Sequence, residues 1–448
     1  YSASITDGSR RREFVDRAYK TALSGYPGPV HLSVPVDIMF SSFPADAQLD
    51  ERPHLHAPRP APRAWPDPDD LQTVISTLQK SERPILIGGH GVWWSGAEVK
   101  LEEAGKTLGI PIFNIPYHQK LLPETSEAYM GLADIHQYGP SAKALQEADV
   151  VVMVGGRLDN QMNFGNPPLF PASCELICVN GSAEETELNR AADQILLSDP
   201  SAFFDALLDL SASGVWQEKG DWMERQRRQR GEWVAQTLAE MAQDTTPGQG
   251  AHPLQLALQV QSVMGVDDWL IIDGGNTHFW SEIAVNIAGW QGQELAGILH
   301  PGAFSMLGVG VSFALAAKLQ HRDSHAVVIS GDGAFLSGGL SIEAAFQEDA
   351  PITVVIDNNG GLTTISQQQE RLFASGGHVA TDFRDIPFHT LFEGLGGYGE
   401  LVEDPEDIAP AVRRAMASGR TACVNVRTRG VISPIVAAVT SKRDKASI

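Results

Sequence analysis

Two side chains that carry potential oxygen ligands, Asp332 and Asn359, each stand at the end of an apolar run near the C-terminal end of the chain. The stretch that contains them, residues 326–361, predicts a strand, a helix and a second strand. Because a parallel crossover of this kind is right-handed, it brings both strand ends to the same edge of a sheet. Ligands of open α/β sheets bind at that edge, and carboxylate and amide oxygens are what Mg²⁺ or Ca²⁺ prefers. The spacing therefore predicts a divalent cation between the two strand ends.

Small residues surround the first of these positions. Gly331, Gly333 and Ala334 leave room for backbone N–H groups to approach a phosphate at the start of the next helix. A Gly-Asp-Gly sequence alone is commonly a plain turn. The strand before it, the helix after it and the Asn-Asn pair that ends the next strand make the combined pattern specific. It predicts a metal ion bound beside a diphosphate group.

The elements that must position these residues follow the pattern of a parallel α/β fold. Continuous apolar runs are typical of strands covered on both faces, and here they are separated by helix-like stretches. We expect strands over 84–89, 110–115, 150–156, 269–275, 326–333, 352–359 and 423–428. We expect helices over 69–80, 97–108, 308–320 and 340–347. The predicted fold class is α/β, with doubly wound parallel sheets.

Composition breaks divide the chain into predicted domains. Prolines over residues 44–67 fix φ and remove hydrogen-bond donors, which predicts an extended linker. Residues 68–240 and 241–448 then each have the pattern of a doubly wound domain. Residues 1–43 predict only one helix and one strand, which cannot bury both faces of a sheet. We therefore interpret this first segment as the end of a domain whose beginning is absent.

Charge and composition limit the class of partner and the compartment. The formal net charge is −22 at pH 7, which argues against nucleic acid and anionic membranes as main partners. No run of about 18 apolar residues is present, so we expect no membrane span. The three cysteines, Cys174, Cys178 and Cys423, form no CxxC pair. This favours a reduced, cytoplasmic protein without a structural zinc site.

The Gly-Asp-Gly turn at 331–333 and the later Asn-Asn pair resemble the cofactor-binding signature of the thiamine-diphosphate enzymes. Residues 25–38 look like the end of the pyrimidine-binding domain in the acetohydroxyacid (acetolactate) synthase group, and 83–91 and 154–160 look like its central domain. Residues 358–373 match the spacing of the NN…QQQ…LF segment in that group. Benzaldehyde lyase, oxalyl-CoA decarboxylase and 2-hydroxyacyl-CoA lyase share the same framework. The resemblance spans essentially the whole chain and implies a thiamine-diphosphate-binding fold with a Rossmann-like central domain.

The resemblance also implies a role for individual residues. Asp332, Asn359 and the carbonyl of Gly361 would be metal ligands, with Mg²⁺ as the metal. Acetohydroxyacid synthases usually carry Gln-His where this chain has Asn276-Thr277, and this departure favours the CoA-lyase or benzaldehyde-lyase branch. A bulky apolar residue before Gly-Val-Gly would support the bent cofactor. The implied cofactor-binding residues are Asn276, Thr277, Leu307, Gly331, Gly333, Ala334 and Asn359.

Other candidate residues keep two interpretations. The acid that activates the aminopyrimidine ring is expected upstream of Tyr1, so no catalytic residue is assigned within this chain. Gln367 and Gln368 would either line the substrate funnel or form an exposed polar turn. His278 and His300 would either shuttle protons or serve as polar packing.

The central segment resembles a nucleotide-binding domain. Relatives hold FAD or ADP there, and Gly88, Gly89 and Arg157 are the residues that would approach such a ligand. Relatives typically place an acid for the ribose hydroxyls after the next strand, whereas this chain has Asn180 at that point. FAD, ADP and an empty remnant site therefore remain alternatives. Three aromatic residues of this segment are interpreted as core: Trp93, Trp94 and Phe164.

These features together imply a thiamine-diphosphate-dependent lyase or carboligase acting on 2-keto acids, similar to acetolactate synthase. One alternative is a 2-hydroxyacyl-CoA or acyloin (benzoin-type) lyase. Another is a non-catalytic or partner-dependent piece that needs a pyrimidine-binding domain from a second chain. The expected partners are a small-molecule 2-keto acid, aldehyde or acyl-CoA, and the expected assembly is a homodimer or homotetramer.

Overall fold

Two six-stranded parallel sheets dominate the computed structural model of this protein. The structure describes residues 1–42, 63–115, 121–133, 140–212, 216–244, 250–373, 377–434 and 436–437. Most of the predicted linker over 44–67 therefore lies outside the described residues. Among the residues within these ranges, no helix is both long enough and apolar enough to cross a membrane.

The N-terminal segment contains more structure than the sequence predicts. Its elements are β1 (Ser2–Ser4), α1 (Arg11–Ala22), β2 (His31–Ser33) and α2 (Val36–Met39). The expectation of one helix and one strand is wrong, because β1 pairs with β2 in parallel. The missed strand is short and polar, so it has no apolar pattern and is held by backbone hydrogen bonds. The missed helix starts directly after Pro35, whose fixed φ suits a helix N-terminus.

The central part alternates strands and helices over residues 68–211, as predicted, and a long helix follows. Its elements are α3 (Pro68–Lys80), β3 (Pro84–Gly88), α4 (His90–Ser95), α5 (Glu98–Leu108), β4 (Ile112–Asn114), β5 (Tyr129–Leu132), α6 (Pro140–Glu147), β6 (Val150–Val154), β7 (Glu175–Asn180), β8 (Gln194–Leu197), α7 (Pro200–Ser211) and α8 (Gly220–Gln243). Every residue of β3 and β6 is buried, as the continuous apolar runs predict. The strand order is β5-β4-β3-β6-β7-β8, so the direction of winding reverses between β3 and β6.

The C-terminal part repeats this pattern with longer strands. Its elements are α9 (Pro253–Gln261), β9 (Trp269–Asp273), α10 (Asn276–Trp290), β10 (Gly297–Leu299), α11 (Gly310–Gln320), β11 (Ala326–Gly331), α12 (Asp332–Gly338), α13 (Glu343–Gln347), β12 (Thr353–Asn358), α14 (Thr363–Leu372), α15 (Phe388–Gly394), β13 (Tyr398–Val402), α16 (Ile408–Ala417) and β14 (Ala422–Arg427). Short 3₁₀ turns lie at Gly8–Arg10, Asn160–Gly165, Ala183–Glu185, Gly302–Phe304, Gly339–Ile342 and Pro405–Asp407.

The second sheet has the order β10-β9-β11-β12-β14-β13, with all its pairs parallel. Two separate apolar clusters pack on its opposite faces, one including Leu270 and Val355 and the other including Ile271 and Val354. Neighbouring residues of one strand therefore enter different cores, which explains why these strands are apolar without alternation. The α/β class with doubly wound parallel sheets is confirmed, and β9, β11 and β12 end side by side.

The two sheets are joined by a direct contact between their helices and loops. Gly289 of α10 packs against Glu124, leaving no space for a Cβ atom at residue 289. The guanidinium of Arg230 in α8 stacks over the ring of Trp290 at 5.4 Å and donates to the carbonyl of Tyr129 at 2.7 Å. This contact fixes α10, whose first residues reach the candidate site, against the central part of the chain.

Candidate functional site

Asp332 stands where β11 ends and α12 begins, at the carboxyl edge of the second sheet. Its side chain is 2% exposed. One carboxylate oxygen accepts from the N–H of Gly333 at 2.6 Å, and the other accepts from Gly360 and Gly361 at 2.9 and 3.0 Å. Because β11 and β12 are neighbours, this single carboxylate connects the two strand ends that the sequence predicts to meet.

The charge of Asp332 is only partly compensated within the chain. Burial, and then the nearby carboxylate of Asp357, raise the pKa of Asp332 to about 7, while the three backbone N–H groups lower it. Backbone N–H groups carry partial charges, so they offset burial of a full negative charge only in part. A divalent cation bound to the Asp332 carboxylate would supply the missing positive charge.

Asn359 and Gly361 lie immediately beyond β12 and are linked to each other through Thr363. The amide oxygen of Asn359 accepts from the Thr363 hydroxyl at 3.0 Å, and the carbonyl of Gly361 accepts from the Thr363 N–H at 3.0 Å. A Cβ atom on Gly361 would overlap the carbonyl oxygen of Thr381, so only glycine fits at this position. The structure thus brings the three predicted metal ligands into one hydrogen-bonded cluster.

Asn276 and Thr277, the predicted diphosphate contacts, form the first turn of α10. The amide of Asn276 donates to the carbonyl of Val431 at 2.7 Å and accepts from the N–H of Ser433 at 2.9 Å. The Thr277 hydroxyl donates to Asp357 at 2.7 Å. Both side chains therefore anchor the start of α10, and this anchoring presents the N-terminus of the helix to the site.

Two buried carboxylates that the sequence analysis missed organise this edge. Asp357 is fully buried and accepts from the hydroxyls of Thr277 and Thr428, so it connects α10 with the end of β14. Asp273, at the end of β9, accepts from the N–H groups of Gly308 and Gly310 at 3.1 and 2.7 Å. Burial raises the pKa of both acids. Their position at strand ends, the same signal that singled out Asp332, would have identified them.

Leu307 occupies the loop that Asp273 holds, directly before Gly308. Its side chain is 42% exposed and so does not fill the core, while its role in supporting a cofactor stays a prediction. A Cβ on Gly308 would lie 2.8 Å from the N–H nitrogen of Gly338, so this loop packs directly on the end of α12. The structure therefore places Leu307 on the same edge as Asp332.

The donor set and the shape of this edge fit a metal-bound diphosphate. Carboxylate, amide and carbonyl oxygens are the ligands that Mg²⁺ prefers. A Cβ on Gly331 would lie 2.9 Å from the Thr277 hydroxyl, and one on Gly275 would lie 3.7 Å from the Thr364 hydroxyl, so the N-termini of α10 and α14 flank the end of β11. The Thr364 hydroxyl is buried and makes no hydrogen bond to any residue that the structure describes. An unpartnered hydroxyl between two helix N-termini suits a phosphate oxygen.

The remaining predicted cofactor residues are explained in part by packing. A Cβ on Gly333 would overlap a methyl group of Leu362, and Ala334 is buried with 3% of its surface exposed. Gln367 and Gln368 lie on α14 and are partly exposed, and the amide of Gln367 donates to the carbonyl of Gly430 at 3.2 Å. Within the described part of the chain, no hydrogen bond joins either glutamine to the Asp332 cluster. Their substrate-lining role stays a prediction.

His278 and His300 lie together near the start of α10, with ring centroids 5.5 Å apart. Burial lowers the pKa of His278 to about 3, so this ring is neutral at ordinary pH. A neutral buried ring agrees with the packing interpretation more directly than with proton transfer.

The predicted nucleotide residues of the central part are occupied by contacts within the chain. A Cβ on Gly89 would overlap the backbone of Gly155 and Gly156, because the loops after β3 and β6 touch at this point. The guanidinium of Arg157 pairs with both carboxylate oxygens of Glu185 and stacks over the ring of Tyr26 at 4.3 Å. Arg157 therefore has a counterion already, and FAD or ADP at this place remains a prediction.

Packing and exposure explain two further features of the central part. A Cβ on Gly88 would lie 2.8 Å from methyl groups of Leu101 and Leu121, so packing alone requires glycine at 88. The interpretation of three aromatic residues as core is wrong, because their side chains are between 39% and 45% exposed: Trp93, Trp94 and Phe164. Trp93 and Trp94 follow directly on one another in a six-residue helix, so both cannot face the interior.

Comparison with known proteins defines the class to which this fold and site belong. The model "Thiamine pyrophosphate enzyme, central domain" matches residues 71–207, and "Thiamine pyrophosphate enzyme, C-terminal TPP binding domain" matches residues 273–426. The chain therefore carries the central and C-terminal domains of the thiamine pyrophosphate enzymes. The second match spans both strand ends of the Asp332 cluster.

Among individual relatives, a probable acetolactate synthase of Mycobacterium bovis is 29% identical over 432 residues, covering 96% of this chain and 73% of the relative. A 2-hydroxyacyl-CoA lyase of Arabidopsis thaliana is 26% identical over 444 residues, covering 95% and 73%. The solved structure of a thiamine diphosphate-dependent 4-hydroxybenzoylformate decarboxylase of Rhodococcus jostii RHA1 superimposes with a TM-score of 0.71 at 21% identity, covering 96% and 76%. The chain is thus homologous to both synthases and lyases, and the likeness to the decarboxylase confirms the fold.

Proposed function

We propose that this protein is a thiamine-diphosphate- and Mg²⁺-dependent lyase or carboligase that acts on 2-keto acids in the manner of an acetolactate synthase. The observation that carries the proposal is the buried Asp332 carboxylate, which joins the ends of β11 and β12 and whose pKa burial raises to about 7. The M. bovis relative, a probable acetolactate synthase, supports the substrate class. A homo-oligomeric, cytoplasmic enzyme is part of the same proposal.

Each residue of the cluster has a defined part in this proposal. Asp332, Asn359 and the Gly361 carbonyl hold the Mg²⁺ ion, and the N-terminus of α10 receives the diphosphate. Leu307 offers an exposed apolar surface to the cofactor from the loop that Asp273 holds. When bound, thiamine diphosphate would supply the electron sink that decarboxylation of a 2-keto acid requires.

The surrounding residues keep the site ordered. Asp357 holds the first turn of α10 against β14 through the hydroxyls of Thr277 and Thr428, so the helix N-terminus is fixed before a ligand arrives. Such preorganisation means that binding a charged diphosphate requires little rearrangement of the protein. The buried start of α10 also keeps bulk water from competing for its N–H groups.

A second candidate function is cleavage of a 2-hydroxyacyl-CoA or an acyloin. The specific observation in its favour is the Asn276-Thr277 pair, which differs from the Gln-His usual in acetohydroxyacid synthases and is fixed here by contacts to Val431, Ser433 and Asp357. The 2-hydroxyacyl-CoA lyase of A. thaliana is among the relatives. FAD or ADP in the central part would accompany either activity.

Binding is tested by calorimetric titration of the protein in its full natural length with thiamine diphosphate and Mg²⁺. Wild type should bind both, Asp332→Ala should lose the Mg²⁺-dependent binding, and the exposed Asp323→Ala should behave like wild type. Absence of binding, or equal binding by Asp332→Ala, would contradict the proposal. The two reactions are then separated by product: acetolactate from pyruvate supports the first, and an aldehyde released from a 2-hydroxyacyl-CoA supports the second.

A further inference from the structure

A short segment that follows α14, residues 377–383, runs antiparallel to the backbone that carries the predicted metal ligands. We name this segment the strap. The N–H of Leu362 donates to the carbonyl of Thr381 at 2.8 Å, and the N–H of Phe383 donates to the carbonyl of Gly360 at 2.8 Å. These two bonds lie on either side of Gly361. The strap therefore contacts the backbone of residues 360–362 from one side, and Asp332 contacts it from the other side.

The strap also limits how that stretch can move. The carbonyl oxygen of Thr381 fills the space where a Cβ of Gly361 would stand, and the ring of Phe383 lies 3.5 Å from the Cβ position of Gly333. Both glycines adjoin the Asp332 carboxylate through their N–H groups. A displacement of the strap would therefore free the backbone at both glycines.

His378 ties the strap at one end. Its Nδ1 lies 2.7 Å from a carboxylate oxygen of Asp382 within the strap, and its Nε2 lies 2.6 Å from a carboxylate oxygen of Glu370 on α14. Next to it, the side-chain amide of Gln369 donates to the carbonyl of Val379 at 3.1 Å and accepts from the N–H of Val379 at 2.7 Å. The strap is thus held to α14 by two adjacent polar contacts.

The chemistry of His378 suits a bridge between two carboxylates. Both ring nitrogens donate only when the ring is protonated, and the hydrogen bonds that they donate to Glu370 and then to Asp382 raise the pKa of His378. The ring stays accessible to water, so the contact adds little to global stability. The effect of this contact is local, because it holds the strap in one position.

We propose that His378 is a positioning residue of the metal site. By bridging Glu370 and Asp382 it holds the strap against Gly360–Leu362 and thereby fixes the Gly361 carbonyl and the N–H groups that orient Asp332. This inference rests on the proposed function, because it assumes that Asp332, Asn359 and Gly361 bind a metal. Groups that orient metal ligands from outside typically change metal affinity by about 10- to 100-fold. Since His378 acts through the strap, the lower end of this range is expected.

The test uses Mn²⁺, which replaces Mg²⁺ in such oxygen sites and is detected by electron paramagnetic resonance. Wild type, His378→Ala, His378→Arg and the control His325→Ala, an exposed histidine outside the strap, are titrated with Mn²⁺ in the presence of thiamine diphosphate. The arginine variant keeps a positive charge that can bridge two carboxylates. The unfolding midpoint of each protein is measured in parallel.

His378→Ala should bind Mn²⁺ about tenfold more weakly with an unchanged unfolding midpoint, and His378→Arg should bind within about twofold of wild type. Equal binding by wild type and His378→Ala would overturn this inference alone. A lower unfolding midpoint in His378→Ala that His378→Arg fails to restore would also overturn it, since the role would then be purely structural. Failure of the wild type to bind Mn²⁺ would overturn the proposed function together with this inference.

Discussion

Removing the Asp273 side chain should release the loop that carries Leu307. Asp273 is 1% exposed, and its carboxylate accepts from the N–H of Gly310, which is buried, and from the N–H of Gly308, which is partly exposed. In Asp273→Ala the Gly310 N–H loses its partner without access to water, which costs about 1–3 kcal/mol. The Gly308 N–H can turn to water, so its loss is about 1 kcal/mol. The expected decrease in the free energy of unfolding is therefore about 2–4 kcal/mol.

Burial raises the pKa of Asp273, and the same burial limits how much stability Asp273→Ala can lose. A buried carboxylate already carries a desolvation cost, and its removal gives part of that cost back. Asp273→Asn keeps one oxygen and can retain one of the two hydrogen bonds, so we expect a smaller loss. Its amide group would face the second N–H, which prevents full recovery.

The assay is denaturant unfolding of both variants, followed by titration with thiamine diphosphate and Mg²⁺. Asp267→Ala, a nearby exposed acid, is the matched control. Asp273→Ala should unfold earlier and bind the cofactor more weakly, whereas Asp267→Ala should match wild type in both measurements. If Asp273→Ala has wild-type stability and wild-type affinity, the loop does not depend on this carboxylate and the reasoning is refuted.

Three further predictions concern packing and pH. Gly89→Ala should destabilise the central part by about 2 kcal/mol or more, since its Cβ would overlap the backbone of Gly156; denaturant unfolding measures this, and wild-type stability would contradict it. Gly231→Ala, inside α8 with open space around its Cβ position, should instead stabilise by about 0.5–1 kcal/mol in the same assay, and a loss would contradict it. Burial lowers the pKa of His252 to about 4 and of His278 to about 3, so the unfolded chain takes up these protons first as the pH falls. The free energy of unfolding that each neutral histidine contributes is thus fully present above about pH 6.5, and it falls by about 1.4 kcal/mol per pH unit towards the folded pKa. His252→Asn should remove the part of this pH-dependent loss that comes from His252, as measured by unfolding curves between pH 7.5 and 5.

The sequence was sufficient to predict that the ends of β11 and β12 meet at the edge of the second sheet, but it did not single out Asp273 and Asp357 there. Strand-end position and the right-handed crossover bring Asp332 to the backbone next to Asn359, and the structure shows this through the bonds to Gly360 and Gly361. These rules depend only on local apolar patterns and on the handedness of the connection. They say nothing about which side chains then pair across the edge.

What could not be predicted depends on contacts between distant parts of the chain. The partner of Arg157 is Glu185, on a turn after the next strand, and its stacking partner is Tyr26 in the N-terminal segment. No local pattern distinguishes this arrangement from a phosphate-facing arginine. The exposure of Trp93 was missed for a related reason, because composition indicates that a residue is apolar but not whether another element covers it.

The two neighbouring buried acids of the site have different hydrogen-bond partners, and this difference bears on where the proposed cation would bind. Asp357 is fully buried and receives hydroxyl hydrogen bonds from Thr277 and Thr428, which stand on two fixed elements. Asp332 receives only backbone N–H groups among the hydrogen bonds described for it, and the charge of Asp357 raises its pKa further. Two carboxylates that repel each other in a buried place are costly unless positive charge is added. Under the proposed function, a cation would bind at Asp332 together with the Asn359 amide oxygen and the Gly361 carbonyl. It would offset the charge of both acids, because the Asn359 side chain also hydrogen-bonds Asp357.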